Sequence, residues 1–236
     1  MECLTGSDLF SYLEKREFVL SEKRAKEISL QLASALYYLH SFGIAHRDLK
    51  PENIIMEDNS ETACCKIVDF GLGKIVGPDE KATDPFGTLS YVAPEVLLQK
   101  PYGKEVDIWS LGVITYLLCG RSLPFDDDQE KEIARQTIQD EPAFDYQPWT
   151  DEISKQAEEI CRAMLNKNRL KRPSLATLIN MPWYDNVREK GISRDDKLDA
   201  NKNVTSDNFK KYTRAGESSP RMEQEIGMVQ NMIDAS

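Results

Sequence analysis

Apolar residues recur at helical spacing through Ala25, Ile28, Leu32, Ala35, Leu36 and Leu39, which predicts a helix running to about Phe42. Ser21 is placed to cap its start and Gly43 to stop it. Beyond it, Ile54-Ile55 and Ile67-Val68 are short β-branched runs parted by polar turns, as in small strands rather than a large sheet. From Leu72 the chain shows no period until a helix opens near Lys104. Ile108 to Cys119, broken only by Ser110 and Thr115, is the most apolar stretch; it is too short for a bilayer and fits a helix buried inside a domain. Three further helices are predicted. Gln129 to Ile138 is polar and reads as exposed. Asp151 to Leu165 carries Ile153, Ala157, Ile160, Met164 and Leu165 on one side, and Ser174 to Asn180 is ended by Met181-Pro182-Trp183.

Polar residues then dominate from about Asp185 to Ser218, and periodicity returns with Met222, Ile226, Val229 and Ile233, where Ser219 can cap and Pro220 can open a helix. No internal repeat is visible. The expected organisation is a short lead at 1–6, a main domain at 7–186 and a polar tail at 187–236 with an amphipathic helix at its end.

Bulk composition narrows the function classes. A chain of 236 residues suits one large domain with a tail, and 40% hydrophobic with 30% charged residues is ordinary for a globular protein. The net charge of -10 excludes general binding to a nucleic-acid backbone and fits a surface that attracts basic peptides. Met1-Glu2-Cys3 offers neither the basic start nor the apolar core of a secretory signal. Five cysteines without paired spacing read as reduced, buried thiols. The expected location is therefore cytoplasmic, with the nucleus as alternative, and no membrane association is expected.

Chemistry concentrates in the stretch that lacks periodicity. His46-Arg47-Asp48-Leu49-Lys50-Pro51-Glu52-Asn53 is followed by Asp69-Phe70-Gly71, then Ala93-Pro94-Glu95, then Asp107-Ile108-Trp109-Ser110-Leu111-Gly112 and Arg172. In that order and spacing they resemble the catalytic loop, metal-binding loop and activation-segment end of eukaryotic protein kinases, over roughly Met1 to Asn186. Each triplet alone is weak; together they are specific. The fold implied is mainly α (α+β): a kinase-like C-terminal lobe, helical with short β-hairpins, without the β-rich N-terminal lobe.

The residue types suit phosphoryl transfer, which needs charge neutralisation and in-line positioning more than covalent help. Magnesium is a hard cation that takes oxygen ligands, and Asp69 and Asn53 offer a carboxylate and an amide carbonyl. Asp48 suits the group that orients the attacking hydroxyl and accepts its proton, and Lys50 would offset charge on the γ-phosphate of ATP. Lys50-Pro51-Glu52 resembles the serine/threonine-specific form of the loop, and Thr88 resembles the threonine that bonds toward Asp48 and Lys50 in that form. Architectural roles are implied for His46 packing on Phe70 beside Gly71, for a buried Glu95–Arg172 ion pair, and for Asp107 anchoring the catalytic-loop backbone.

Met1-Glu2-Cys3-Leu4 resembles the hinge between kinase lobes, with Met1 guarding the adenine pocket, Glu2 and Leu4 offering backbone bonds to adenine, and Leu9 and Ile55 as its apolar floor. No Gly-x-Gly-x-x-Gly loop and no lysine for the α- and β-phosphates occurs. Either these residues are part of a whole kinase, or a lone lobe acts as a non-catalytic binding or regulatory module. On the first reading, 236 residues alone are expected to be inactive or nearly so. Arg47 implies an anion on the activation segment, and Asp84, beside Thr83, stands where many relatives carry a phosphothreonine. Tyr91-Val92-Ala93-Pro94-Glu95-Val96 and Pro182-Trp183-Tyr184 resemble the calcium/calmodulin-dependent group, although Asn168-Arg169 replaces its usual Asp-Pro. Asn208-Phe209-Lys210-Lys211-Tyr212 with the Met222–Ile233 stripe could form an autoinhibitory element or one that binds calmodulin or another calcium sensor; packing on its own domain and disorder are the alternatives. Asp8 and Glu52 resemble carboxylates that read a basic residue upstream of the phosphorylated one in protein substrates.

Overall fold

A computed structural model describes residues 5–76, 82–84 and 86–191, and the fold is told for those residues. Eight helices and four short strands follow in the order α1 (Leu9–Glu14), α2 (Glu22–Ser41), β1 (Ile44–Ala45), β2 (Ile54–Met56), β3 (Cys65–Ile67), β4 (Lys74–Ile75), α3 (Pro94–Leu97), α4 (Glu105–Gly120), α5 (Glu130–Gln139), α6 (Lys155–Met164), α7 (Leu175–Ile179) and α8 (Asp185–Gly191).

The apolar run that predicts a core helix becomes α4, on which every residue from Val106 to Gly120 is buried. Its neighbours are α2 on one side and α6 on the other. Trp109, Leu111, Val113 and Ile114 have no exposed surface at all, and each fully buried side chain of this size contributes about 1.5–3 kcal/mol. The two polar residues in the run are satisfied. The Thr115 hydroxyl bonds to the Leu111 carbonyl at 2.8 Å and shares a 2.8 Å bond with Ser29 of α2, which in turn meets the Tyr184 hydroxyl at 2.8 Å. Ser110 donates to the Tyr91 carbonyl at 2.8 Å, tying the core helix to the loop that carries the site.

α2 starts where its sequence says, with the Ser21 hydroxyl accepting from the Arg24 N–H at 3.2 Å. α6 begins at Lys155, capped by Ser154, rather than at Asp151: the residues before it form a turn over Pro148 and cannot continue the helix. α5 is not merely a solvated helix, because Ile133, Ala134 and Thr137 are buried where it meets α3 and the turn at Leu89–Tyr91. Of the described cysteines, Cys119 and Cys161 are buried, whereas Cys64 is exposed. Among the described residues no helix is long and apolar enough to cross a membrane.

The strands make two antiparallel pairs. β1 pairs with β4 (Ile44 opposite Ile75) and β2 with β3 (Ile54 opposite Ile67). Residues 46–53 run from the first pair to the second, and residues 68–73 run back. Both loops therefore run between the same two small strand pairs.

Close helix approach sets one strict requirement. A Cβ on Gly112 would stand 2.8 Å from the Cβ of Met164 and 3.1 Å from Leu165 Cδ2, so α4 and α6 meet at this residue without side-chain clearance. Gly112→Val is expected to lower unfolding free energy by about 3 kcal/mol, near the upper end for overpacking. Chemical denaturation checks it, and an unchanged midpoint would mean the two helices can part.

Candidate active site

Asp107, in the first turn of α4, has no exposed surface. Its Oδ1 accepts from the Arg47 N–H at 2.9 Å and its Oδ2 from the His46 N–H at 2.9 Å, with His40 Nε2 also 2.8 Å from Oδ2. Burial pushes the Asp107 carboxyl up, but the hydrogen bond and charge of His40 and the Arg47 N–H outweigh it and hold the group below its ordinary 3.8. The next backbone step is unusual for a non-glycine residue: Arg47 has φ 69°, left-handed, a conformation that persists only when its surroundings over-determine it.

His46 is fully buried. Its Nε2 lies 3.0 Å from the Val68 carbonyl, which can only accept, and its Nδ1 takes the Asp48 N–H at 3.3 Å, so Nε2 carries the proton. The ring meets Phe70 edge-on at 5.2 Å. His46 thus touches both loops, through the Asp48 N–H on one side and the Val68 carbonyl and Phe70 ring on the other.

Asp48 sits at the centre of a polar cluster. Lys50 Nζ donates to Thr88 Oγ1 at 2.8 Å, and the Thr88 hydroxyl donates to Asp48 Oδ1 at 3.0 Å. Lys50 Nζ is also 3.2 Å from Asp48 Oδ2. Asn53 Nδ2 donates to the Asp48 carbonyl at 2.8 Å and to Asp48 Oδ2 at 3.1 Å. Four residues chosen from sequence, Asp48, Lys50, Asn53 and Thr88, come together in one bonded group.

Asn53 and Asp69 lie at one end of the β2–β3 pair, where the Val68 N–H bonds to the Asn53 carbonyl at 2.9 Å. The Asn53 amide nitrogen is spent on the Asp48 carbonyl and carboxylate, so its carbonyl oxygen is the atom it can offer a hard cation. Asp69 is exposed, has φ 57°, and takes the Gly71 N–H on Oδ1 at 3.0 Å. One carboxylate and one amide oxygen fit magnesium, which keeps waters and phosphate oxygens for its other positions. No group of three or more His, Cys, Asp or Glu arranged for a metal occurs among the described residues, so a fully protein-made cage is not the pattern here.

Around this centre the activation segment is pinned. Glu95 and Arg172 form a two-pronged buried pair at 2.6 and 2.7 Å, and Arg172 adds bonds to the Asn166 and Glu105 carbonyls at 2.9 and 3.0 Å. Arg47 donates to the Leu72 carbonyl at 2.7 Å, lies 3.4 Å from Asp84 Oδ2, and stacks over Phe86 at 4.8 Å. Lys74 reaches the same Asp84 oxygen at 3.1 Å. Partial burial pushes the Asp84 carboxyl up, but Lys74 and Arg47 outweigh that and hold it below the ordinary range. His40, Lys74, Phe86 and Tyr102 were not read from sequence as part of the site. Nothing in their local spacing marks them, since each meets its partner only across the fold.

The outer residues are placed less centrally. Asp8 caps α1, with Oδ1 taking the Ser11 N–H at 2.9 Å and Oδ2 the Ser11 hydroxyl at 2.7 Å. An isolated bridge joins Asp8 to Ile55. Leu9 is fully buried, while Ile55 keeps some exposed surface. Glu52 is exposed, and with Asp126 it adds to the burial that pushes the Tyr91 hydroxyl up. Met1, Glu2 and Leu4 lie outside the described residues, as do residues 192–236 of the tail.

Residues 1–184 match the protein kinase domain family. The chain belongs to the protein kinase family. The kinase chain is 40% identical over 195 residues to "CDPK-related kinase 1" of Arabidopsis thaliana, covering 83% of this chain and 34% of that protein. It is 38% identical over 195 residues to "Calcium/calmodulin-dependent serine/threonine-protein kinase 1" of Oryza sativa subsp. japonica, covering 83% and 32%. With "Calcium-dependent protein kinase 1" of Arabidopsis thaliana it shares 36% over 244 residues, covering 100% of this chain and 39% of the relative. Within the family this kinase is calcium-dependent protein kinase-like, and it spans about a third of the length of the curated relatives it matches.

The low-lying Asp107 carboxyl gives a pH signature. A group whose folded value is depressed contributes stability above its unfolded value, near 3.8 here, and loses it as pH falls through the folded one. Asp107→Asn should therefore cost stability at pH 7, with the gap to wild type narrowing as pH falls below 3.8. Thermal unfolding across pH 3 to 7 checks it; a gap that stays constant would deny the carboxylate this role.

Proposed function

We propose that the protein of which these residues form the large lobe is a serine/threonine kinase that transfers the ATP γ-phosphate to protein substrates. The observation that carries this reading is the bonded group of Asp48, Lys50, Asn53 and Thr88 beside Asp69. The serine or threonine oxygen bonds to the γ-phosphorus as the bond from that phosphorus to the β–γ bridging oxygen breaks. The hydroxyl proton passes to Asp48, and the negative charge leaves on ADP. Lys50 stands 3.2 Å from Asp48 and would offset charge on the transferred group, while the bonds from Thr88 and Asn53 orient the Asp48 carboxylate. Asn53 Oδ1 and Asp69 would hold magnesium, which neutralises phosphate charge when bound.

Adenine contacts at Glu2 and Leu4, an apolar floor including Ile55 with Leu9 beneath it, and selection of a basic substrate residue by Glu52 and Asp8 belong to the same proposal. The exposed carboxylates of Glu52 and Asp126 near Tyr91 support a basic preference; Asp8, with both oxygens on Ser11, would have to release that cap to join them. The names of the relatives support calcium regulation, with the segment around Lys210 and Lys211 as the candidate for a calcium sensor such as calmodulin. Residues 1–236 taken alone carry no Gly-rich phosphate loop, so we expect them to transfer phosphate poorly. A cytoplasmic location, with the nucleus as alternative, remains part of this proposal.

A non-catalytic binding lobe would leave the Asp48 cluster without work. In the complete protein, Asp48→Asn should reduce kcat by about 10²–10⁴-fold on a serine peptide while ATP binding persists. An undiminished kcat would remove the catalytic reading. Asp84 is proposed to substitute for a loop phosphate. Its carboxylate is 44% exposed and held at 3.1 and 3.4 Å, so Asp84→Ala should slow the complete enzyme only about fivefold. An unaltered rate without loop phosphorylation would make Asp84 a solvated bystander.

A further inference from the structure

Tyr102 lies on the loop between α3 and α4, and it meets residues 82–84 of the activation segment in two ways. Its backbone forms a two-bond bridge with Ala82: the Ala82 N–H donates to the Tyr102 carbonyl at 2.8 Å, and the Tyr102 N–H donates to the Ala82 carbonyl at 2.9 Å. Its hydroxyl donates to the Asp84 carbonyl at 2.5 Å and is reached by an Arg47 guanidinium nitrogen at 3.4 Å. A phenol has one proton and lone pairs to spare, so donating to Asp84 leaves it able to accept from Arg47. Tyr102 is 1% exposed. Burial pushes its hydroxyl up and Arg47 acts against that, so the group keeps its proton at neutral pH.

Two kinds of contact thus hold residues 82–84, and water and salt treat them differently. The Asp84 carboxylate is 44% exposed and meets Lys74 and Arg47 at 3.1 and 3.4 Å, longer than a well-made charge-assisted bond. Ion pairs this open contribute little and are screened by salt. The Tyr102 contacts are neutral, and both Tyr102 and Ala82 are buried, so salt leaves them alone.

Arg47 carries the consequence to the reacting group. Its side chain is 7% exposed and touches Tyr102, Asp84, the Phe86 ring at 4.8 Å and the Leu72 carbonyl at 2.7 Å. Asp48 follows directly, and the left-handed φ of 69° at Arg47 sets the course of the chain into it. A backbone angle of that kind lasts only while its surroundings enforce it. Contacts that hold the Arg47 guanidinium against residues 82–84 therefore also restrain the backbone from which Asp48 projects.

We infer that Tyr102 is a positioning residue for phosphoryl transfer: its hydroxyl keeps residues 82–84 on Arg47 by neutral bonds, sharing that hold with the Asp84 ion pairs. Loss of the hydroxyl leaves the segment dependent on charge, and so on ionic strength. The inference rests on the reading of Asp48 as the group that accepts the substrate proton.

Tyr102→Phe in the complete protein tests it, since the variant keeps the ring and the backbone bridge and removes only the hydroxyl. At 0.05 M potassium chloride kcat on a serine peptide should fall about tenfold while KM for magnesium–ATP stays within about twofold. Raising the salt to 0.5 M should widen the deficit against wild type by about threefold more. With Asp84→Ala added, kcat should fall with salt no faster than in Asp84→Ala alone. Hydrogen exchange gives a second readout that needs no catalysis. At 0.5 M salt the Ala82 amide should exchange at least about fivefold faster in Tyr102→Phe than in wild type, with the amides of α4 unchanged to report an intact fold. A kcat within twofold of wild type at both salts would overturn the inference. So would a deficit that salt does not alter, which would leave Tyr102 a structural residue only, and so would unchanged exchange at Ala82. A wild-type protein that transfers no phosphate would end the catalytic reading instead, and exchange at Ala82 would then decide by itself whether the hydroxyl holds the segment.

Discussion

One buried carboxylate organises everything that can react. Asp107 stands at the start of a helix with almost no exposed surface, and it spends both oxygens on the backbone of His46 and Arg47. A charge that deep is costly unless it is fully bonded. The loop thus needs Asp107 to adopt a left-handed residue at Arg47, and Asp107 needs the loop for its donors. This reciprocity makes the loop conformation a property of the core, and Asp48 inherits its position from it through the His46 ring. Glu95 and Arg172 repeat the device at the other end of the activation segment, where removing either partner would leave an uncompensated charge costing about 3–5 kcal/mol.

How much of this is visible in sequence depends on the range of the interaction. α2 and α4 are legible because a long stripe or a long apolar run leaves few alternatives. α1 has only six residues, so its buried Leu9, Tyr12 and Leu13 never complete a period, and its capping residue, Asp8, is more naturally assigned to substrate. The two-residue strands β1 and β4 are illegible for another reason: Ile44 pairs with Ile75 across the intervening β2–β3 hairpin, too far along the chain for local pattern to show. The burial of Ile133 and Ala134 on α5 likewise comes from a neighbour far along the chain.

The site divides in the same way. Asp48, Asn53, Asp69, Glu95, Asp107 and Arg172 are readable from motif order, and Asp48 with Lys50, Asn53 and Thr88 does assemble. What motif order misses is the second layer of partners. His40 joins Asp107, Tyr102 bonds to the Asp84 carbonyl at 2.5 Å, and Lys74 shares Asp84 with Arg47. Such residues are ordinary in type, and only three-dimensional proximity gives them a role.

Arg47 is where these layers join. Its N–H is held by the core helix, its Nε by the Leu72 carbonyl after the metal loop, and its guanidinium by Asp84 and the Phe86 ring. A single residue therefore couples the catalytic loop to the start and to the middle of the segment that follows. The grip on Asp84 is loose, since 3.1 and 3.4 Å exceed the usual 2.7–2.9 Å of a charge-assisted bond. The segment is secured here as much by neutral contacts, namely the Tyr102 hydroxyl on the Asp84 carbonyl and the bridge between Ala82 and Tyr102. Among the described residues, Asp84 is thus held by backbone bonds as well as by charge, and the cations that reach it complete an arrangement in which the Tyr102 hydroxyl and the Ala82–Tyr102 bridge already take part.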